Sequence, residues 1–240
     1  MISNCWEPTE EFIQCSQLYK FIQEVNRNYN TQLKSFEDIH NWSISNLEQF
    51  WKEAAEFMNI KFSTEPNHIL INNGEMIQAS WFDGSKLNYA ENILRNRSDE
   101  IVIHEVNENG LQQTLTWNQL YEKVSRWAQF FESLGITKGD VVAGILPNNA
   151  TAIIAMLAAT SLGAIWSSCS PDFGEDGICD RLEQVQPKCV VSVQSYIYKG
   201  KEIIITDRLN AIKSRLSSTE YWVNASDTII SGWISTTKIK

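Results

Sequence analysis

Positive charge is what this sequence is short of. Lys and Arg number 20 against 29 Asp and Glu, giving a formal net charge of -9. Broad nucleic-acid binding needs a cationic surface that displaces counterions from phosphates, and a polybasic membrane anchor needs clustered Lys and Arg. Neither is available, so no nucleic-acid partner is expected. Cysteine is scarce as well: Cys5, Cys15, Cys169, Cys179 and Cys189 are odd in number and contain no C-x-x-C pair. The ten-residue spacing of the last three reads as small apolar residues in successive buried elements rather than as metal ligands, which usually come in close pairs. Such usage fits a reducing compartment. Met1–Glu7 has neither the basic nor the apolar stretch of a secretory signal, so a cytoplasmic location is expected. No ionised side chain occurs between Val141 and Pro171, but Pro147, Asn148, Asn149 and Gly163 divide that stretch. A spanning helix needs about 20 continuous apolar residues; a buried strand–helix–strand unit is expected instead, with no membrane span.

The common catalytic signatures are missing too. There is no G-x-x-x-x-G-K-[ST] loop, no G-x-G register and no G-x-S-x-G elbow. His40, His68 and His104 are scattered and none lies in an H-E-x-x-H. What the chain does have is core material: 43% of its 240 residues are hydrophobic and only 20% are charged. It is therefore a folded chain of one or two domains rather than a disordered one.

Three stretches organise the chain: 1–95, a leading segment of helices and irregular structure; 96–216, an α/β subdomain; and 217–240, an irregular tail. In the first, Thr9 caps a helix carrying Phe12, Ile13, Phe21, Ile22 and Val25. Ser45 with Glu48 reads as a capping box opening a helix with Leu47, Phe50, Trp51, Ala54, Phe57 and Met58 on one face. Asn73-Gly74 and Asp83-Gly84 mark turns, and Trp81 and Phe82 must bury against the region that follows. Residues 100–115 read as a hairpin turning at Asn109-Gly110. Thr116 with Gln119 caps a helix with Trp117, Leu120, Tyr121, Val124, Trp127, Ala128, Phe131 and Leu134 on one face, stopped by Gly135.

A repeating unit follows. Strands at 141–146, 164–168 and 189–193 alternate with a helix apolar on nearly every side at 151–162 and an amphipathic one at 176–185. This predicts a parallel βαβαβ sheet, then a helix over 207–216. Trp222 and Trp233 look isolated. In such sheets ligands gather at the carboxyl ends of the strands. The most site-like segment there is Ser167-Ser168-Cys169-Ser170-Pro171-Asp172-Phe173-Gly174, whose backbone N–H groups are placed to face a ligand. Asp172 is its one charged residue, with an Asx turn or a helix cap as the competing role.

Three motifs, in order, carry a family resemblance. Trp81-Phe82-Asp83-Gly84-Ser85-Lys86-Leu87-Asn88-Tyr89-Ala90-Glu91-Asn92-Ile93-Leu94 resembles a motif of acyl-CoA synthetases related to acetyl-CoA synthetase. Gly163-Ala164-Ile165-Trp166-Ser167-Ser168-Cys169-Ser170-Pro171-Asp172-Phe173-Gly174 and Tyr196-Ile197-Tyr198-Lys199-Gly200-Lys201 are similar to the acetoacetate–CoA ligase branch. The likeness runs from about residue 36 to about 201 and fades through 216.

The resemblance implies a partial adenylate-forming ligase fold: a helical segment followed by the parallel subdomain. It implies acetoacetate as substrate, activated with ATP and Mg2+ to an acyl-adenylate and passed to CoA. It also implies what is absent, namely the Ser/Thr/Gly phosphate loop, the aromatic-Thr-Glu segment, the ribose-binding Asp and the mobile domain's Lys. No catalytic residue carries over. Two loops do, as CoA contacts: Ser170-Pro171-Asp172, where acetyl-CoA synthetases use a Gly-rich turn, and Gly200-Lys201, where they place basic residues, with Lys199 and Lys201 supplying charge. The expectation is an N-terminal portion inactive alone, completed by a protein supplying the missing half, or alternatively a non-catalytic module that binds CoA or a protein. An exposed apolar sheet face is expected where the family's second subdomain would sit.

Overall fold

The computed structural model describes residues 6–72, 74–226 and 232–236. The chain divides into two compact units, Met1–Leu87 and Asn88–Lys240.

The first unit holds α1 (Glu10–Cys15), α2 (Gln17–Tyr29), α3 (Phe36–Ser45), α4 (Leu47–Phe57), β1 (His68–Ile71) and β2 (Ser80–Asp83). Thr9 caps α1 as expected, its hydroxyl accepting from Phe12 N–H. The helix then breaks at Ser16, whose side chain caps α2 in turn. The break separates two fates: Phe21, Ile22 and Val25 are buried, whereas Phe12 and Ile13 stay exposed. The Ser45–Glu48 capping box does not form. Ser45 is the last residue of α3, and Asn46 joins α3 to α4 with its own N–H on Trp42 C=O and no side-chain cap. The box lies ten residues earlier, between Ser35 and Asp38. Phe21, Ile22, Val25, Ile39 and Ala54 form this unit's core. The two strands pair as an antiparallel ribbon. Trp81 and Phe82 have aromatic partners upstream in the same unit: Trp81 meets Trp51 edge-on at 5.7 Å, and Phe82 stacks on Phe62 at 5.7 Å. Gly84 turns at φ +74°; Asn73, the first residue of the other expected turn, lies outside the described residues.

The second unit opens with α5 (Tyr89–Ile93), β3 (Ile101–Asn107), β4 (Gly110–Thr116) and α6 (Trp117–Ser133). The β3–β4 hairpin and the Thr116–Gln119 capping box are present as expected. Then come β5 (Val141–Ile145), α7 (Ala150–Ser161), β6 (Ile165–Cys169), α8 (Glu175–Val185), β7 (Cys189–Ser192), β8 (Ser195–Tyr198), β9 (Lys201–Ile204), α9 (Thr206–Arg215), β10 (Tyr221–Asn224) and β11 (Ile234–Ser235). Five strands form one parallel sheet in the order β11-β10-β7-β5-β6. Chain order reverses at β5: β6 lies on one side of it and β7 on the other.

Residues from 217 onward are therefore not an irregular tail throughout. Tyr221–Asn224 pairs residue for residue with Cys189–Ser192. Trp222 and Trp233 are not isolated, since their rings meet at 4.9 Å in a buried cluster. Four-residue strands amid small polar residues show too short a pattern to read in sequence; pairing with a formed neighbour decides them. The fringe 237–240 lies outside the described residues.

Alternation along each strand splits the core in two. Val142, Cys189, Val191 and Val223 join Leu120, Val124, Trp127 and Phe131 of α6 and the apolar residues of α7. Ala143, Ile145, Val190 and Trp222 join Ile178 and Leu182 of α8 and Leu209 and Ile212 of α9. Successive residues point to opposite faces, so each strand serves both layers. Helices pack on both faces of the sheet, while Ile165 of the edge strand β6 stays exposed.

Candidate functional site

The amino and carboxyl edges of the sheet are built differently. At the amino edge, Asp140 accepts from Thr137 N–H at 2.8 Å and from Lys188 Nζ at 3.0 Å, and the same ammonium reaches Gly135 C=O at 2.8 Å. Those groups satisfy one another. Among the connections that leave the sheet at its carboxyl edge are 146–149 after β5, 170–174 after β6, and the segment after β7 that carries the β8–β9 hairpin.

Ser170-Pro171-Asp172 sits at the second of these. Pro171 is buried, while Ser170 and Asp172 are exposed. A turn forms through Phe173 N–H on Ser170 C=O at 3.4 Å. Arg208 of α9 ties the turn down, donating to Pro171 C=O at 2.9 Å and Phe173 C=O at 3.1 Å. Arg181 lies over the Phe173 ring, 4.5 Å from its centroid. Asp172 does not take the capping role: Gly174 is the N-cap of α8 and makes no side-chain cap bond. Glu175 and Asp176, in the first turn, complement the positive end of the helix instead.

Gly200-Lys201 sits at the third. Lys199 and Gly200 are the two turn residues of the β8–β9 hairpin, at φ +50° and +71°. Two consecutive positive φ values are what a tight type I′ turn requires, and Gly supplies one without strain. Tyr198 lies under the Lys199 ammonium at 5.2 Å. The turn's two backbone amides are not free. Lys199 N–H donates to Glu108 Oε1 at 2.8 Å, and Gly200 N–H donates to Glu108 Oε2. Glu108 belongs to the turn of the β3–β4 hairpin. That hairpin has a second attachment: Glu105 accepts from Ala150 N–H, at the start of α7, at 2.9 Å.

The expected loops thus both stand at the carboxyl edge, and no hydrogen bond joins one to the other among the described residues. Sequence reasoning missed Arg208, Glu105 and Glu108. Each acts across a separation of 35 to 92 residues, which no local pattern reveals.

Cys169, Cys179 and Cys189 are buried and behave as packing residues, whereas Cys15 is exposed. Burial pushes the Cys169 thiol up to about 11, against a lowering pull from Arg181, and the Cys189 thiol up to about 12. Both stay protonated at neutral pH, which suits neither a nucleophile nor a metal ligand. The family-like motif around Asn88 is also structural here. Its side chain caps α5 through Glu91 N–H at 3.0 Å and donates to Thr160 C=O at 2.9 Å, closing the end of α7.

Comparison with known proteins adds an independent line. A family model described as AMP-binding enzyme matches residues 90–231, and one described as acetyl-coenzyme A synthetase N-terminus matches 36–93. The acetoacetyl-CoA synthetase of Macaca fascicularis is 37% identical over 210 residues, covering 86% of this chain and 31% of that protein. The acetoacetyl-coenzyme A synthetase of Rhizobium meliloti is 33% identical, covering 89% and 33%. The malonamoyl-CoA synthetase of Penicillium aethiopicum is 36% identical, covering 85% and 29%. The solved acetoacetyl-CoA synthetase of Streptomyces lividans superposes with a TM-score of 0.89 at 30% identity, over 98% of this chain and 37% of that one. The chain spans about a third of the length of the relatives it matches.

Proposed function

The chain belongs to the AMP-binding enzyme family, and on that premise we propose that it is the amino-terminal part of an acetoacetate–CoA ligase whose own share of the work is to contact CoA. In the whole reaction the acid's carboxylate attacks the α-phosphorus of ATP and expels pyrophosphate. The CoA thiol then attacks the acyl-adenylate and expels AMP. The first step needs a cradle of donors for the triphosphate, and neither common phosphate-loop pattern occurs in these 240 residues. Among the described residues no group of three His, Cys, Asp or Glu side chains could hold a metal ion, so no step is assigned to Mg2+ on this chain.

The observation that carries the CoA reading is the β8–β9 hairpin. Its tight turn projects from the carboxyl edge with Lys199 and Lys201 flanking Gly200, a cationic tip in a chain of net charge -9. Lysine is a compact, flexible phosphate partner, and the carboxyl edge is where open parallel sheets bind ligands. Ser170, Pro171 and Asp172, held in shape by Arg208, form the second contact in this reading. The described cysteines are all free, which suits a reducing, cytoplasmic setting.

Titration calorimetry with CoA tests this. CoA is expected to bind, and Lys199→Ala with Lys201→Ala is expected to weaken binding about tenfold, in the range of two lost exposed phosphate contacts. No acetoacetate-dependent ATP–pyrophosphate exchange is expected from this chain. Exchange activity, or CoA binding indifferent to both lysines, overturns the reading.

A further inference from the structure

Glu108 makes a contact that the proposed CoA role does not explain. Its carboxylate accepts from two successive backbone amides, Lys199 N–H and Gly200 N–H, at the tip of a different hairpin. Successive amides aimed at one oxyanion are an anion-binding arrangement, and here the oxyanion is supplied from within the chain. The turn does not need it. Tyr198↔Lys201, Ile197↔Glu202, Tyr196↔Ile203 and Ser195↔Ile204 already pair, and Lys199-Gly200 already has the required backbone signs. Nor does the β3–β4 hairpin depend on it, because Glu105 holds Ala150 N–H at 2.9 Å and Gln113 Nε2 at 2.7 Å.

We propose that the Lys199–Gly200 turn is an oxyanion cradle for a phosphoryl group, with Glu108 as its internal occupant and competitor. Withdrawal of Glu108 frees two converging N–H donors between the Lys199 and Lys201 side chains. While Glu108 stays, a phosphate meets a like charge and finds both amides taken, so only a ligand with contacts elsewhere on the edge can displace it. Glu108 thereby sets selectivity against small free anions. This rests on the reading of the β8–β9 tip as a ligand loop, and it adds the donors and the gate.

The test uses inorganic pyrophosphate, read at the Lys199 and Gly200 amide resonances of the nitrogen-15-labelled full chain. In Glu108→Gln and Glu108→Ala, pyrophosphate is expected to shift both resonances saturably, with a Kd about tenfold below that of the unsubstituted chain, as for a site relieved of a charged competitor. Adding Lys199→Ala and Lys201→Ala is expected to raise the Kd again. Equal Kd values with and without Glu108, or no response of those two amides in the substituted chains, overturns the proposal. Retained β5 and β7 amide shifts show that the variants are folded. A parallel CoA titration separates the two claims. A pyrophosphate response in Glu108→Gln without CoA binding sinks the CoA assignment and keeps the cradle. CoA binding without any effect of Glu108 does the reverse.

Discussion

Asp140 is a single residue with a measurable signature. Thr137 N–H first, and Lys188 second, hold its carboxyl below the usual carboxylate range. A folded-state value lower than the unfolded one, about 3.9, stabilises the native state at pH above that figure. The contribution is lost as pH falls through the lowered folded value. Between about pH 5 and 2 the unfolding free energy of the unsubstituted chain is therefore expected to fall more steeply than that of Asp140→Asn. Urea titrations at several pH values measure it, and parallel slopes would show that Asp140 contributes nothing. Residues of this kind were invisible in sequence. Thr137 and Asp140 are local, but Lys188 lies 48 positions away. The ten-residue cysteine series, by contrast, was read correctly from composition alone, because small apolar thiols without close partners belong in a core.

Elements explain why one glycine matters in the sheet. Gly144 lies inside β5, and a Cβ added there would stand 2.7 and 2.8 Å from the Trp166 ring and 3.3 Å from Leu146 Cδ1. The ring belongs to neighbouring β6, whose Ser168 pairs with Gly144. Gly144→Ala is expected to destabilise the chain by about 1–3 kcal/mol through overpacking, lowering the urea midpoint with little change in m. An unchanged midpoint would mean that Trp166 moves aside freely. Element existence was legible wherever a period ran long: α6 shows both its capping box and its apolar face in sequence. It was not legible for β10, whose four residues gain a strand's identity from pairing with β7. The helix break at Ser16 escaped notice because the apolar spacing runs straight through it.

On the scale of the whole molecule, each unit has buried clusters of its own among the described residues. The cluster containing Val25 draws only on residues up to 57, and the two clusters flanking the sheet draw only on residues from 90 onward. Phe131 is fully buried in one of the latter. Phe131→Ala is expected to cost about 3–5 kcal/mol, raising exchange rates of the β5 and β7 amides while α2 amides keep theirs. Equal acceleration in both units would show that they unfold as one, and a single unfolding free energy describes the chain only in that case.

By itself the sequence determined the class of fold, the order of strands and helices from the β3–β4 hairpin through β7, and the family, since apolar periodicity and motif order are carried by neighbours along the chain; the β8–β9 hairpin at 195–204 was not read from it. It also placed Ser170-Pro171-Asp172 at a strand end, while Gly200-Lys201 was picked out only through the family resemblance. Only the tertiary structure decided that β10 and β11 extend the sheet, that helices pack on both of its faces, and that Arg208 and Glu108 hold the two loops. The reason is physical: a hydrogen bond spanning 92 residues exists only after strand pairing and helix packing have brought its two ends together.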